Sequence, residues 1–167
     1  LEAFEYESLS DAGAAARREI TFFAAEQHAT LGTITLRLDG PGGLRADATH
    51  GETVQRARGE GHCIAELTRL ALAEGVDSRV VLASLFGLVY AVGRTIHGVS
   101  DVFSEVKPRH VAFYSRALGF AVDGEERFCE RVSAPSVLIH ADVETLEERL
   151  GLASSPRAEE PMMRYGT

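Results

Sequence analysis

Residues 62–72 read His-Cys-Ile-Ala-Glu-Leu-Thr-Arg-Leu-Ala-Leu, a run that after His62 is apolar apart from three polar insertions. This pattern predicts a central strand that is buried on both faces of a sheet. Asp77 or Ser78 then caps a helix over residues 79–97, which ends at Gly98. Because apolar side chains surround this helix almost completely, we expect it to be buried against the sheet.

The segments on either side of this strand and helix also show strand and helix patterns. Residues 19–26 and 30–38 predict an antiparallel hairpin, because both are rich in strand-forming residues and a short gap separates them. The other predicted elements are a turn at residues 39–43, a short helix near 52–58, a strand at 99–106, a helix from Lys107 to Gly119, strands at 120–130 and 132–141, and a helix at 143–150. The predicted fold class is α/β in the wider sense, an α+β mixed sheet with helices on both faces.

Length and composition favour one folded domain. The chain has 167 residues, of which 45% are hydrophobic and 25% charged. We expect a single domain over residues 1–150 and a C-terminal tail over 151–167, with residues 10–17 as a loose lead-in or the end of a short helix. The formal net charge of -8 argues against nucleic acid as a partner.

Neither a membrane span nor a metal site is predicted. No apolar run is long enough to cross a bilayer and no signal peptide is recognisable, so we expect a cytoplasmic location. Cys63 and Cys129 lie in apolar surroundings without the spacing of zinc ligands. We expect both to be free, buried thiols.

Two segments resemble a known family. The first is Glu66-Leu67-Thr68-Arg69-Leu70, and the second, residues 105–120, reads Glu-Val-Lys-Pro-Arg-His-Val-Ala-Phe-Tyr-Ser-Arg-Ala-Leu-Gly-Phe. In this order, with a long apolar helix between them, they resemble the bacterial long-chain N-acyl amino acid synthases. The Glu-x-(Ser/Thr)-Arg core is also similar to that of the acyl-homoserine-lactone synthases. The resemblance covers about residues 19–142 and implies an acetyltransferase-type (GNAT-like) fold.

The activity that this resemblance implies is N-acyl transfer. A fatty acyl group would move from an acyl carrier protein, or from acyl-CoA, to the amine of an amino acid or a similar small acceptor. Residues 74–79 read Glu-Gly-Val-Asp-Ser-Arg and lack the glycine-rich pyrophosphate loop of coenzyme A-dependent relatives. The families that the chain resembles commonly take the acyl chain from an acyl carrier protein, so the resemblance implies this partner, and the missing loop is consistent with it. Acyl-phosphopantetheine is the expected co-substrate, and no permanently bound cofactor is predicted.

The candidate catalytic residues follow from the first segment. A carboxylate at Glu66 in an apolar strand must be paired or functional, and burial would raise its pKa toward that of a general base. The structural alternative is an ion pair with Arg69. In a regular strand Glu66 and Thr68 share one face while Arg69 points to the other. All three reach one site only if the strand is irregular, and we therefore predict a β-bulge within a few residues of Arg69.

The second segment supplies further candidates. Arg79, Lys107, Arg109 and His110 are the predicted binding groups for an anion, either the acceptor carboxylate or the donor phosphate. A solvated basic loop at residues 107–110 is the alternative. The resemblance assigns Tyr114 to protonation of the leaving thiolate, and plain core packing is its alternative.

The long helix and the charge pattern concern the acyl donor. Leu85, Phe86, Val89 and Tyr90 are the candidate lining of an acyl tunnel, and a purely structural core is the alternative. Residues 78–118 carry a net charge of +3 within a chain of net charge -8. A basic face of this kind would attract an acidic carrier protein.

Two other functions compete with N-acyl transfer. A non-catalytic relative could bind an acyl chain or a carrier protein as a sensor. The run Phe-Tyr-x-x-x-Leu-Gly-Phe at residues 113–120 also occurs in vicinal-oxygen-chelate metalloenzymes, although there it lies early in a βαβββ module. A bound divalent metal would distinguish that class from the others.

Overall fold

The computed structural model describes residues 2–9 and 18–151, and these form an eight-stranded sheet with four α-helices. The strands are β1 Glu2–Leu9, β2 Arg18–Glu26, β3 Ala29–Leu38, β4 Ile64–Leu72, β5 Asp101–Val106, β6 Ala121–Val122, β7 Arg127–Cys129 and β8 Ala134–Asp142. The helices are α1 Asp47–Gly59, α2 Ser78–Tyr90, α3 Val111–Leu118 and α4 Val143–Leu150. A π-helical segment, Ala91–Ile96, continues α2, and 3₁₀ turns cover Pro108–His110 and Glu130–Val132.

The sheet is mixed, as the sequence predicted. Its strands lie in the order β1-β2-β3-β4-β5-β8-β6, with β7 paired to β8, and only the β4–β5 pair is parallel. The larger hydrophobic core lies between the sheet and α2 and α4, where Phe22 and Leu36 join Leu85 and Phe86. A smaller cluster under α1 contains Val54 and side chains of β4, β5 and β8. Helices therefore cover both faces of the sheet.

Several predicted elements differ from the observed ones. The structure adds β1, whose acidic composition gave little strand signal. Residues 120–130 contain two short strands rather than one. Residues 10–17 and all of the predicted tail except Gly151 lie outside the described residues.

The central strand and the long helix are less buried than predicted. β4 is buried only over Ile64–Leu67, after which exposure alternates. The reason is that β5 pairs with only the first three residues of β4 and then separates from it. Helix α2 has one buried face, and Val80 on its other side is 49% exposed. Cys129 is buried as expected, but Cys63 is exposed.

No membrane span was predicted, but one helical segment of the structure is long and apolar enough to be a candidate. Ser78–Ile96 is the one segment within the described ranges that is long and apolar enough to cross a membrane. This is weak evidence, because the core helix of a soluble protein passes the same test.

A bulge interrupts β4, and it confirms the irregularity predicted near Arg69. Thr35 of β3 lies opposite Thr68, whereas Thr33 lies opposite Ala71, so β4 carries one extra residue between these pairs. Arg69 has a φ of 55°, in the left-handed region that is costly for a non-glycine residue. The β4–β5 pairing ends at Glu66 and the bulge follows Thr68, so the sheet is irregular on both sides of this part of β4.

Candidate active site

Glu66 is a fully buried carboxylate on the face of the sheet that α1 covers. Its Oε2 accepts hydrogen bonds from the backbone N–H groups of Arg45, at 2.6 Å, and Ala46, at 3.4 Å. These donors belong to the entry into α1, where N–H groups are otherwise unpaired. Burial raises the pKa of Glu66, and the negative charge of Glu105 adds to the effect, although the two N–H groups oppose it. A raised pKa is the property that a general base at this position would need.

An open cavity of about 300 Å³ lies beside Glu66 and is called the Glu66 cavity below. It is lined by Arg45, Glu66, Thr68, Arg69, Leu70, Ser104, Glu105, Val106, Lys107, His110, Tyr114, Arg131, Val132, Pro135 and Ser136. Six of the sequence-predicted residues are in that set: Glu66, Thr68, Arg69, Lys107, His110 and Tyr114. The fold thus brings residues of both motif segments to one place.

The bulge turns Arg69 toward the cavity, but its ion pair is not with Glu66. Its guanidinium contacts Glu19 Oε2 at 3.3 Å, and the side chain is 54% exposed. The predicted alternative of a structural Glu66–Arg69 pair is therefore not the arrangement in this structure. Thr68 shares the cavity, and its buried Oγ1 has no hydrogen-bond partner among the described residues.

An arginine–glutamate network beside the cavity was missed by the sequence reasoning. Glu19 Oε1 accepts from Arg37 at 3.1 Å and from Arg45 at 3.3 Å. Burial by itself would raise the pKa of Glu19, but Arg45, Arg69 and Arg37 hold it below its usual range. Arg37 also donates to the carbonyl of Gly43 at 2.9 Å, so the glycine turn helps to anchor it. The network holds Arg45 in place, and Arg45 in turn holds Glu66.

Glu105 is the second missed residue of the cavity. Its side chain is 4% exposed, and neither carboxylate oxygen has a hydrogen-bond partner in the part of the chain that the structure describes. Arg131 approaches to 3.7 Å, which is an ion-pair contact without a hydrogen bond. Its position in β5 was the signal that could have found it. Phe103 lies opposite Glu66, and Glu105, two residues farther along, is on the same face of the sheet.

Tyr114 packs among aromatic side chains and also borders the Glu66 cavity. Its ring packs edge-on against Phe120, with centroids 5.8 Å apart, and against Phe113, at 5.4 Å. The residue also lines the Glu66 cavity. Burial raises the pKa of Tyr114, so its phenol stays protonated near neutral pH and can donate a proton.

Two predicted anion-binding residues lie away from the Glu66 cavity. Arg109 is exposed, and its Nε donates to His110 Nε2 at 3.2 Å. Arg79 borders a separate opening of about 680 Å³, the helix groove, between α2, α3 and α4. The groove is lined by Arg79, Leu82, Ala83, Phe113, Arg116, Ala117, Leu118, Arg149 and Leu150.

The candidate tunnel residues lie mainly in the core. Leu85, Phe86 and Val89 are buried against the sheet, and Tyr90 is partly buried. Phe86, Val89 and Tyr90 border a cavity of about 10 Å³, which has room for roughly one water molecule. A fatty acyl chain does not fit there, so the structure supports the core alternative for these positions.

A second polar cluster lies at the opposite end of β4 and β5. Asp101 contacts His62 Nδ1 and His140 Nε2, each at 2.7 Å, and accepts from Ser100 Oγ at 2.6 Å. Burial would raise the pKa of Asp101, but the Ser100 and His140 hydrogen bonds keep it below its usual range. Within residues 2–9 and 18–151, no group of three or more His, Cys, Asp or Glu side chains has the geometry to hold a metal ion.

One protein-family model matches most of the chain. The family model of N-acyl amino acid synthase FeeM matches residues 3–142. The chain belongs to this family. Its fold is the acetyltransferase type and its activity is N-acyl transfer, so the family resemblance is confirmed. Family membership also excludes the vicinal-oxygen-chelate alternative.

Solved structures agree with this assignment. FeeM from uncultured soil microbes, an N-acyl amino acid synthase, is 26% identical, with 86% of this chain and 84% of that chain aligned and a TM-score of 0.69. The CoA-dependent acyl-homoserine lactone synthase BjaI is 19% identical over 83% of this chain and 66% of that chain, with a TM-score of 0.56. The AHL synthase LasI is 14% identical over 80% and 69%, with a TM-score of 0.52. The last two show the shared fold alone. No curated protein sequence matches the chain significantly.

Proposed function

We propose that this N-acyltransferase moves a fatty acyl group from an acyl carrier protein to the amine of an amino acid in the Glu66 cavity. The observation that carries the proposal is the asymmetric environment of Glu66. Two backbone N–H groups hold Oε2, while Oε1 has no hydrogen-bond partner among the described residues. A carboxylate that is held on one side and free on the other suits proton abstraction from a bound amine.

Proton transfers to Glu66 and from Tyr114 accompany the proposed acyl transfer. The acceptor arrives as an ammonium ion, and Glu66 takes one of its protons. The free amine attacks the thioester carbonyl carbon, so a C–N bond forms and the C–S bond breaks. Tyr114 gives its hydroxyl proton to the departing sulfur, and the second proton that leaves the nitrogen restores the phenol. The products are an amide and a free thiol.

The acceptor carboxylate has cationic candidates at the cavity. Arg45, Arg69, Lys107 and Arg131 all line it. The buried Nε of Arg45 has no hydrogen-bond partner among the residues described. An amino acid presents an ammonium and a carboxylate together, and a cavity lined by both carboxylates and cations matches that pair.

The donor is proposed to approach through the helix groove. Arg79, Arg116 and Arg149 border it, and none of them has an ion pair within the described part of the chain. Three unpaired arginines around an apolar groove favour an anionic partner, although the chain as a whole is acidic. Apolar groove residues such as Leu82 and Phe113 suit the acyl chain or the pantetheine arm.

The entry into α2 favours a carrier protein over coenzyme A. The side chain of Asp77 accepts a hydrogen bond from the N–H of Arg79 at 3.1 Å. This carboxylate occupies the helix N-terminus, where an anion such as a pyrophosphate would otherwise bind. The proposal therefore takes a carrier protein as the acyl donor, and acyl-CoA is the alternative donor.

The test is mass spectrometry of lipid extracts from cells that overexpress the chain, with Glu66→Gln as the control. A new N-acyl amino acid that is missing with Glu66→Gln supports the proposal and names the acceptor. Purified enzyme is then given matched acyl carrier protein and acyl-CoA donors, with the charge reversal Arg116→Glu compared with Arg56→Glu outside the groove. An unchanged lipid profile from folded protein would contradict the acceptor class, and equal use of both donors would contradict the carrier preference.

A further inference from the structure

Three side chains of the Glu66 cavity have buried hydrogen-bond acceptors without a partner among the described residues. The atoms are Oε1 of Glu66, Oγ1 of Thr68 and both carboxylate oxygens of Glu105. Native proteins rarely leave buried polar atoms without partners, because each costs about 1–3 kcal/mol. A cluster of unpaired acceptors in an open cavity indicates that a ligand supplies the missing donors.

The strand geometry places these acceptors together. Glu66 lies opposite Phe103 in the parallel β4–β5 pair, and Thr68 and Glu105 are each two residues farther along the same face. The strands stop pairing at this level, where Ser104 on the opposite face donates its hydroxyl to the carbonyl of Leu67 at 2.8 Å. The gap between the strands is therefore bordered by two carboxylates and a hydroxyl.

The charges around the gap match one chemical group. Glu105 is close enough to Glu66 for its charge to raise the pKa of Glu66. The one cation within 4.0 Å of Glu105 among the described residues is the half-exposed guanidinium of Arg131, at 3.7 Å. A primary ammonium group has three N–H donors, no acceptor and one positive charge. It can therefore satisfy all three side chains at once.

We propose that Glu105, with Glu66 and Thr68, forms the binding site for the ammonium group of the acceptor. The inference rests on the proposed N-acyl transfer and adds a residue and a specificity to it. Glu105 holds the cation, whereas Glu66 takes the proton that must leave before attack. The site therefore selects primary amines over alcohols of the same shape, because an alcohol brings no positive charge to Glu105.

Binding without a donor tests the site directly. Butylamine, which is protonated at neutral pH, is compared with 1-butanol by NMR titration of the purified chain. We expect the unsubstituted protein to bind the amine at least tenfold more tightly, and Glu105→Gln to abolish that preference. Glu125→Gln removes the same charge at an exposed position and should retain it. Retained preference in Glu105→Gln would overturn the proposal.

Stability separates binding from a structural role. If Glu105 mainly serves as the ion-pair partner of Arg131, Glu105→Gln and Arg131→Gln should both lower Tm. We expect Glu105→Gln to keep or raise Tm instead, because it removes a buried charge without hydrogen bonds. A lowered Tm together with an unchanged amine preference would assign Glu105 to the structure alone.

Steady-state kinetics with the acceptor identified in lipid extracts separates the ammonium-site proposal from the proposed function, because the two can fail independently. For Glu105→Gln we expect KM for the amine to rise at least tenfold while kcat stays within about threefold. If Glu66→Gln abolishes turnover but Glu105→Gln changes neither KM nor amine preference, the ammonium site fails and the proposed function stands. If no acceptor is ever acylated, the butylamine titration still decides the ammonium site.

Discussion

The carboxylate of Glu66 accepts a hydrogen bond of 2.6 Å from the backbone N–H of Arg45, a residue 21 positions earlier in the chain. This bond joins the central strand to the start of α1. It also orients the carboxylate, because Oε2 is held while Oε1 has no hydrogen-bond partner among the described residues. The segment that leads into α1 therefore has a function beyond connecting β3 to the helix, since its backbone N–H groups position the proposed base.

Glu66→Gln should lower kcat by about 10²- to 10⁴-fold, the usual contribution of a general base. The amide oxygen of glutamine can still accept from Arg45 and Ala46, so the fold should be retained. Steady-state kinetics and thermal unfolding test this together. A large fall in Tm would show that the negative charge of Glu66 is structural.

The pH dependence of stability should report the raised pKa of Glu66. A carboxyl whose folded-state pKa is raised stabilises the fold below its unfolded pKa, and this contribution is lost as pH rises through the folded pKa. From its ordinary value of 4.5 upward, the unsubstituted protein should therefore lose stability relative to Glu66→Gln. Tm measured from pH 4 to 8 for both proteins checks this, and parallel curves would contradict it. The acidic limb of the kcat profile should also lie above the usual glutamate range.

The bulge should show a preference for glycine at position 69. Because Arg69 has a φ of 55°, Arg69→Gly should be more stable than Arg69→Ala by about 1 kcal/mol, although both lose the contact with Glu19. Urea unfolding of the pair measures the difference. Position 79, in the first turn of α2, is the matched control and should show the opposite order, since alanine favours helix. An alanine variant at position 69 as stable as the glycine variant would show that the backbone relaxes.

Lys107 and Arg109 should differ as binding residues, although they are two positions apart. Lys107 lines the Glu66 cavity and Arg109 does not. Lys107→Ala should raise KM for the acceptor about 5- to 50-fold with a smaller change in kcat, whereas Arg109→Ala should leave both near their original values. The comparison needs only initial rates at varied acceptor concentration. Equal effects of the two changes would place the acceptor carboxylate elsewhere.

Arg58 should be important for stability because it clamps α1 to the preceding turn. Its guanidinium donates to both carboxylate oxygens of Asp39 and both of Asp47, all at 2.7 Å. Lysine cannot reproduce this planar geometry, so Arg58→Lys should lower the free energy of unfolding by about 1–2 kcal/mol, allowing for partial exposure. Arg56→Lys is the control, because Arg56 is 59% exposed and contacts only Asp123. Similar losses in the two variants would contradict the clamp.

Local patterns predicted most of the architecture. The helix over 143–150 agrees with α4, because Asp142 caps it and Val143 and Leu146 recur at helical spacing on its buried side. The bulge was predicted for a different reason: the motif needs Glu66, Thr68 and Arg69 at one site, and a regular strand cannot provide that. Strand β1 was missed because its identity as a strand comes from pairing with β2 rather than from its own composition.

The sequence by itself determined the order of the helices and of most strands, the family and the presence of an acidic group inside an apolar strand. These follow from periodicities and short motifs, which are local properties of the chain. Only the tertiary structure decided which groups surround that acid: the N–H of Arg45, the carboxylate of Glu105, and the absence of Arg109 from the cavity. The reason is that side-chain partners depend on strand register and on where β4 and β5 separate, and neither is encoded in local spacing.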